Sequence, residues 1–155
     1  MKAIVAFLLP LMLTVCLPAQ TPSTSLQHDD LQAALTRFIQ SFDNLDWEGF
    51  RAAFDDDATV FFPRGFSTRA TGRVEFEKNF KVVFEQIRDG KTAPPFMDIQ
   101  PEDMEIQRLG DVAVVTFHLD DRPGMLNRRT LVLRKNTNGW KIVHLHASEV
   151  KLPAQ

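Results

Sequence analysis

Trp140-Lys141-Ile142-Val143-His144-Leu145-His146-Ala147-Ser148 reads as the last strand of a curved sheet, entered through the turn Asn136-Thr137-Asn138-Gly139. A strand repeats every two residues, so its side chains sort onto two faces. Val143, Leu145 and Ala147 share one face; His144, His146 and Ser148 share the other. The segment Asp111 to Asp120 sorts in the same way. Ala113, Val115, Phe117 and Leu119 form an apolar set, and Val112, Val114, Thr116, His118 and Asp120 form a set that grows polar. The interior is therefore expected to receive Phe117, Leu119, Leu145 and Ala147, with His118, His144 and His146 on the outer wall.

Working outward from this strand, four segments form a meander: about Asp98 to Leu109, Asp111 to Asp120, Asn127 to Lys135, and Trp140 to about Val150. Gly110-Asp111 and Asn138-Gly139 supply tight turns. Upstream, Leu31, Leu35, Phe38, Ile39 and Phe42 fall at helical spacing and predict a helix to about Asp43. Thr24-x-x-Gln27 fits a capping box at its start, and Asp29 and Asp30 suit the positive end of its dipole. Asp46 caps a second, short helix that turns Trp47, Phe50 and Phe54 one way, and Asp55-Asp56-Asp57 ends it as a solvated turn. Ala58 to Phe62 is a strand, turned by Pro63-Arg64-Gly65 into a second short one. After Gly72, the spacing of Phe76, Phe80, Val83, Phe84 and Ile87 predicts another helix, stopped at Gly90. This order gives an α+β layout, with three helices segregated to one face of a strongly curved, mainly antiparallel sheet. Their wide apolar stripes and the bent sheet enclose a cone.

The 155 residues suit one domain with a sizeable core. A formal net charge of −2 gives no electrostatic case for a nucleic-acid partner. Arg64, Arg69, Arg73, Arg128 and Arg129 read as solvated charges. The chain has 13 Phe and no Tyr, so no phenol is available as a donor.

Lys2 precedes an apolar run from Ala3 to Val15 that is interrupted by Pro10 and followed by Ala19. A short basic start, a short apolar run and a small residue describe a secretory signal. The run falls short of the ~20 apolar residues of a permanent membrane helix. The expected organisation is a signal peptide at 1–19, a linker at 20–25, a domain at 26–150 and a tail at 151–155. The protein is then exported, periplasmic or secreted, with no membrane attachment after cleavage. Cys16, the single cysteine, leaves with the signal, which excludes disulfides and thiolate ligands from the mature chain.

Asp46-Trp47-Glu48-Gly49-Phe50, Phe54-Asp55-Asp56-Asp57-Ala58-Thr59-Val60, Gly72-Arg73 and Gly139 to Ser148 together resemble the SnoaL-like branch of the nuclear transport factor 2-like superfamily, over roughly Leu26 to Val150. The ending is also similar to the association domain of calcium/calmodulin-dependent kinase II. The resemblance implies a cone around a pocket, often dimeric across the outer sheet face, in a superfamily that hosts isomerases, cyclases, dehydratases and non-catalytic binders. Within it, ketosteroid isomerase works with an aspartate base, a tyrosine and a protonated aspartate. By similarity those places fall here on Phe62, Phe38 and the interval Thr130 to Val132, none of which supplies a base or a strong donor. The kinase domain's arginine-rich pocket maps, again by similarity, onto Leu119, Thr130, Ala147 and Phe76, which disfavours an anionic ligand.

The resemblance and the alternation disagree at one strand. Apolar pattern alone sends Leu131 and Leu133 inward, whereas the resemblance sends Thr130 and Val132. Following the resemblance, the expected pocket is lined by Phe38, Phe62, Phe76, Phe117, Leu119, Thr130, Val132, Leu145 and Ala147, and suits a small apolar or aromatic molecule. Catalytic candidates are Glu149, at the pocket mouth, and then His144 and His146. The two histidines share a face but lack a third ligand fixed by spacing, so no metal and no cofactor is expected. The expectation is a homodimer that binds a small molecule without isomerase-type catalysis. The alternatives are a small lyase or isomerase with Glu149 or a histidine as base, and an oligomerisation module whose cone is filled.

Overall fold

A computed structural model of the protein describes residues 24–90, 93–119 and 123–153, with side chains from Asp30 onward. The expected signal peptide and the capping-box side chains of Thr24 and Gln27 lie outside the described residues. The first helix, α1 (Thr24–Asp43), starts inside the expected linker. It buries Leu31, Leu35 and Phe38, as its spacing requires. The short helix α2 (Trp47–Ala52) is capped by Asp46, whose carboxylate accepts the Gly49 N–H at 3.1 Å. Then come β1 (Phe54–Phe61), the two-residue β2 (Ala70–Thr71) and α3 (Arg73–Gly90), which buries Phe76, Phe80 and Phe84.

Four further strands follow: β3 (Glu102–Leu109), β4 (Val112–Leu119), β5 (Met125–Asn136) and β6 (Gly139–Lys151). They complete a six-stranded mixed sheet in the order β2-β1-β6-β5-β4-β3, antiparallel except where β1 runs parallel to β6. The sheet is strongly curled without closing. Asp98 sits in the loop before β3 rather than on the strand. Residues 151 and 152, expected in the tail, are held to the sheet: Lys151 pairs with Met125 and the Leu152 N–H donates to the Gly124 carbonyl at 2.9 Å. Among the described residues no helix is long and apolar enough to cross a membrane.

Phenylalanine dominates the layer between helices and sheet. Phe50 is fully buried, with ring centroids of Phe80, Phe84, Phe42 and Phe54 at 4.7, 5.0, 5.2 and 5.2 Å. These separations give offset and edge contacts as well as apolar burial.

Two bulges change what alternation predicts. Phe54 pairs with Ile142 and Thr59 with His144, so five steps along β1 match two along β6. The aspartates Asp55, Asp56 and Asp57 occupy that bulge, inside β1, rather than a solvated turn. Asp55 accepts from Arg134 at 3.1 Å, and Arg73 reaches Asp56, Glu77 and the Phe54 carbonyl. Arg73 is thus a tie between α3 and β1 and not a free surface charge. On β6, Val132 pairs with His144 but Leu133 with Ile142, leaving Val143 as the extra residue. The buried residue is therefore Ile142, not Val143.

Candidate functional site

Between α1, α3, the loop after β1 and the inner faces of β5 and β6 lies a cavity of about 650 Å³. Each wall follows from a local pattern. Phe38 and Phe42 come from the apolar stripe of α1, and Phe80, Val83 and Ile87 from that of α3. Leu145 and Ala147 point inward from β6, in the alternation the sequence shows. Phe62 and Phe66 meet as tilted rings with centroids 4.5 Å apart, and Phe62 meets Phe80 at 4.8 Å, so the loop after β1 is held against α3 by aromatic contacts. A recess of about 40 Å³ adjoins the cavity under Phe117, Leu119, Leu131 and Ile99, with Phe38, Phe42, Leu145 and Arg129 bordering both spaces.

Of the expected lining, Phe38, Phe62, Leu145 and Ala147 border the main cavity, and Phe117 and Leu119 border the recess. Phe76 borders neither; it is fully buried against Phe54, at 4.9 Å between ring centroids. Thr130 and Val132 are misplaced in the expectation. They pair with His146 and His144 on the outer face, while Leu131 and Leu133 are buried inside. Strand phase, set by burial, prevails over the family correspondence there.

The same phase carries a residue that the sequence reading left in solvent. Arg128 is exposed, but Arg129 is half-buried and lines the cavity. Two adjacent residues on a strand face opposite ways, so one of this pair had to turn inward; the phase of Leu131 and Leu133 selects Arg129. Its Nη1 donates to the Arg128 carbonyl at 3.0 Å. Glu149 also reaches the cavity, with its side chain 14% exposed, and Arg64 approaches its carboxylate at 3.6 Å from the loop after β1. The apolar interior therefore has a charged end built from Arg64, Arg129 and Glu149.

The histidines stand on the opposite face. His144 Nδ1 and Thr59 Oγ1 share a hydrogen bond of 2.7 Å, and Phe61 packs 6.0 Å from His144 and 5.4 Å from His146. Burial, then the neighbouring charges of His146 and Arg69, push the His144 imidazole below its ordinary pKa. Neither ring meets Glu149 inside the cone. Among the described residues no group of three or more His, Cys, Asp or Glu is placed to hold a metal ion. A second depression of about 580 Å³, between α1, α2 and the β5–β6 turn, is open and of mixed lining, with Arg37, Asn44, Asp46 and Lys141 beside Ala34, Phe38 and Trp140.

Solved structures share this architecture. An NTF2-like protein of unknown function from Pseudomonas putida KT2440 superposes with a TM-score of 0.67 at 18% identity, covering 81% of this chain and 87% of its own. A dehydratase candidate of the NTF2-like family from Streptomyces avermitilis gives 0.66 at 21% identity, over 83% and 99%. A ketosteroid isomerase candidate from Parabacteroides distasonis gives 0.57 at 24% identity, over 76% and 85%. These likenesses establish the fold. A comparison with curated protein sequences gave no match. The sequence profile of the SnoaL-like domain matches residues 31–153, nearly all of the described fold, and the chain belongs to that family.

Proposed function

We propose that this protein is an exported binder of a small apolar or aromatic molecule, held in the cone and presented by a homodimer. One observation carries the reading: a cavity of about 650 Å³ remains between α3 and the sheet although the neighbouring core is packed with phenylalanine. A domain used only for oligomerisation has no need of such a space. Burying one aromatic ring there contributes about 2 kcal/mol, and the Phe walls supply shape selection. The two places that correspond to the isomerase base and tyrosine, Phe62 and Phe38, are cavity walls without acid–base chemistry. Export is supported by the basic start and short apolar run at the N-terminus. Dimerisation is supported by Phe61, 39% exposed on the outer sheet face beside His144 and His146.

Native mass spectrometry of the protein from its source, with a thermal-shift screen of naphthalene-sized amides and hydrocarbons, tests the binding. A bound small molecule or a rise in Tm is expected; a bare chain and no shift across the screen would sink the proposal. Light scattering tests the dimer, which Phe61→Arg is expected to split. A monomeric wild type removes that part.

A second reading has one observation in its favour, the presence of Glu149 at the cavity. It makes the protein a small lyase or isomerase acting on a hydrophobic substrate, with Glu149 taking the proton. His144 and His146 are excluded from that role by their position on the outer face. Turnover of a candidate substrate that vanishes in Glu149→Gln, with binding retained, distinguishes this reading from simple binding.

A further inference from the structure

The binder reading leaves the outline of the ligand open, and the recess beside the main cavity addresses it. The main cavity, about 650 Å³ between rings from α1, α3 and the loop after β1, has the size of a site for a whole small molecule. The recess, about 40 Å³, is made differently. Ile39 of α1 and Ile99 of the loop before β3 border it together with Phe117, Leu119 and Leu131 of the sheet. Except for Arg129, every residue around it is apolar. Its Ile99 side is fixed in place: the Phe96 N–H donates to the Asp43 carbonyl at 2.7 Å, and the Ile99 N–H donates to the Asp43 carboxylate at 2.8 Å. These two bonds pin the loop to the end of α1 and keep it from settling into the space. An apolar void of this kind stays dry and takes up carbon rather than water. A group the size of a water needs about 10–15 Å³ of such space, so the recess takes about three carbons. Phe38, Phe42 and Leu145 border both spaces, which makes a group in the recess continuous with a body in the main cavity.

Resting on the binder reading, we infer that the ligand is a ring system carrying a short alkyl branch: the rings lie among the Phe walls of the main cavity, and a branch of about two or three carbons enters the recess. Selection then works from both sides. A bare ring leaves the recess void and forgoes the burial of apolar surface there. A longer branch has to push aside side chains that are already packed, or turn out of the recess and lose its contacts.

Calorimetric titration of the full chain with 2-naphthamide and its 6-ethyl, 6-propyl and 6-hexyl derivatives tests the inference. Each buried carbon is worth about fourfold in affinity, so wild type is expected to bind the ethyl or propyl compound at least about tenfold tighter than the parent. The hexyl compound is expected to gain nothing over propyl. Ile99→Phe and Ile39→Phe each bring more carbon to the recess, and each is expected to reduce the ethyl-to-parent advantage to about twofold or less. If one variant does not fold, the other carries the comparison; if neither folds, the chain-length profile of wild type decides. Affinity that ignores the branch, or that rises steadily to hexyl in wild type and variants alike, overturns this inference and leaves the binder reading standing. Failure of all four probes to bind overturns both.

Discussion

The indole Nε1–H of Trp140 donates to Asp30 Oδ1 at 3.0 Å, and Lys135 Nζ bonds the other carboxylate oxygen, so the start of α1 is clamped to the β5–β6 hairpin. Asp30 is therefore more than a dipole partner for its helix. The Lys135 hydrogen bond, opposed by burial and helped by Trp140, holds its carboxyl below the ordinary range. Asp30→Ala is expected to cost about 1 kcal/mol at neutral pH, toward the low end for a charged bond because the pair is part-exposed and screened. A depressed carboxyl lends stability that is complete above about pH 4 and is lost as pH falls through its folded value. The gap between wild type and mutant in thermal melts should therefore be widest at pH 7 and close below about pH 4. A gap independent of pH would contradict the ionic clamp.

His144 predicts a second pH dependence, in a higher window. Its pKa is lowered in the fold by burial, reinforced by His146 and Arg69. Between the folded value and the unfolded value of about 6.5, the unfolded chain binds the extra proton, so stability rises with pH across that interval. Wild type should lose Tm as pH drops from about 7 toward 5, and His144→Gln should flatten that slope. Equal slopes in the two proteins would show that another group titrates there.

How much of this was legible beforehand depended on strand phase. The helices, the Asp46 cap and the inward set Phe117, Leu119, Leu145 and Ala147 followed from spacing alone, because burial enforces one register across a half-buried strand. The bulges did not. An extra residue at Val143 costs the pattern nothing visible, since valine is acceptable in either direction, and three aspartates in a bulge look the same in sequence as three aspartates in a turn. On β5, the alternation of Leu131 and Leu133 was sufficient to place Arg129 inside. Preferring a distant family's correspondence at that strand hid the cavity's charged end.

Arg73 offers a test of the tie between α3 and β1. Its guanidinium contacts Glu77 at 3.1 Å and the carbonyls of Phe54 and Arg51 at 3.1 and 3.3 Å, besides Asp56. Burial pushes the Glu77 carboxyl up, but Arg73 and Arg51 outweigh it and hold it below its ordinary value. Arg73→Met should cost about 2 kcal/mol in urea melts, because it removes one of the two guanidiniums that hold the mostly buried Glu77 carboxylate and takes a donor from two carbonyls. Adding Glu77→Gln should cost much less in that background than in wild type, and a purely additive double mutant would argue against the coupling.

The cavity itself can be closed from within. Ala147 lines it, is 5% exposed, and pairs across the strands with Arg129, so a larger side chain there projects into the space between the apolar walls and the guanidinium. In a filled core such a substitution forces strain of about 1–3 kcal/mol, whereas a side chain that enters an existing void gains apolar burial instead. Ala147→Leu is therefore expected to leave Tm unchanged or raised while weakening 2-naphthamide binding at least about tenfold. The same binding with a lowered Tm would mean that the space is already occupied by protein atoms, and the binder reading would lose its physical basis.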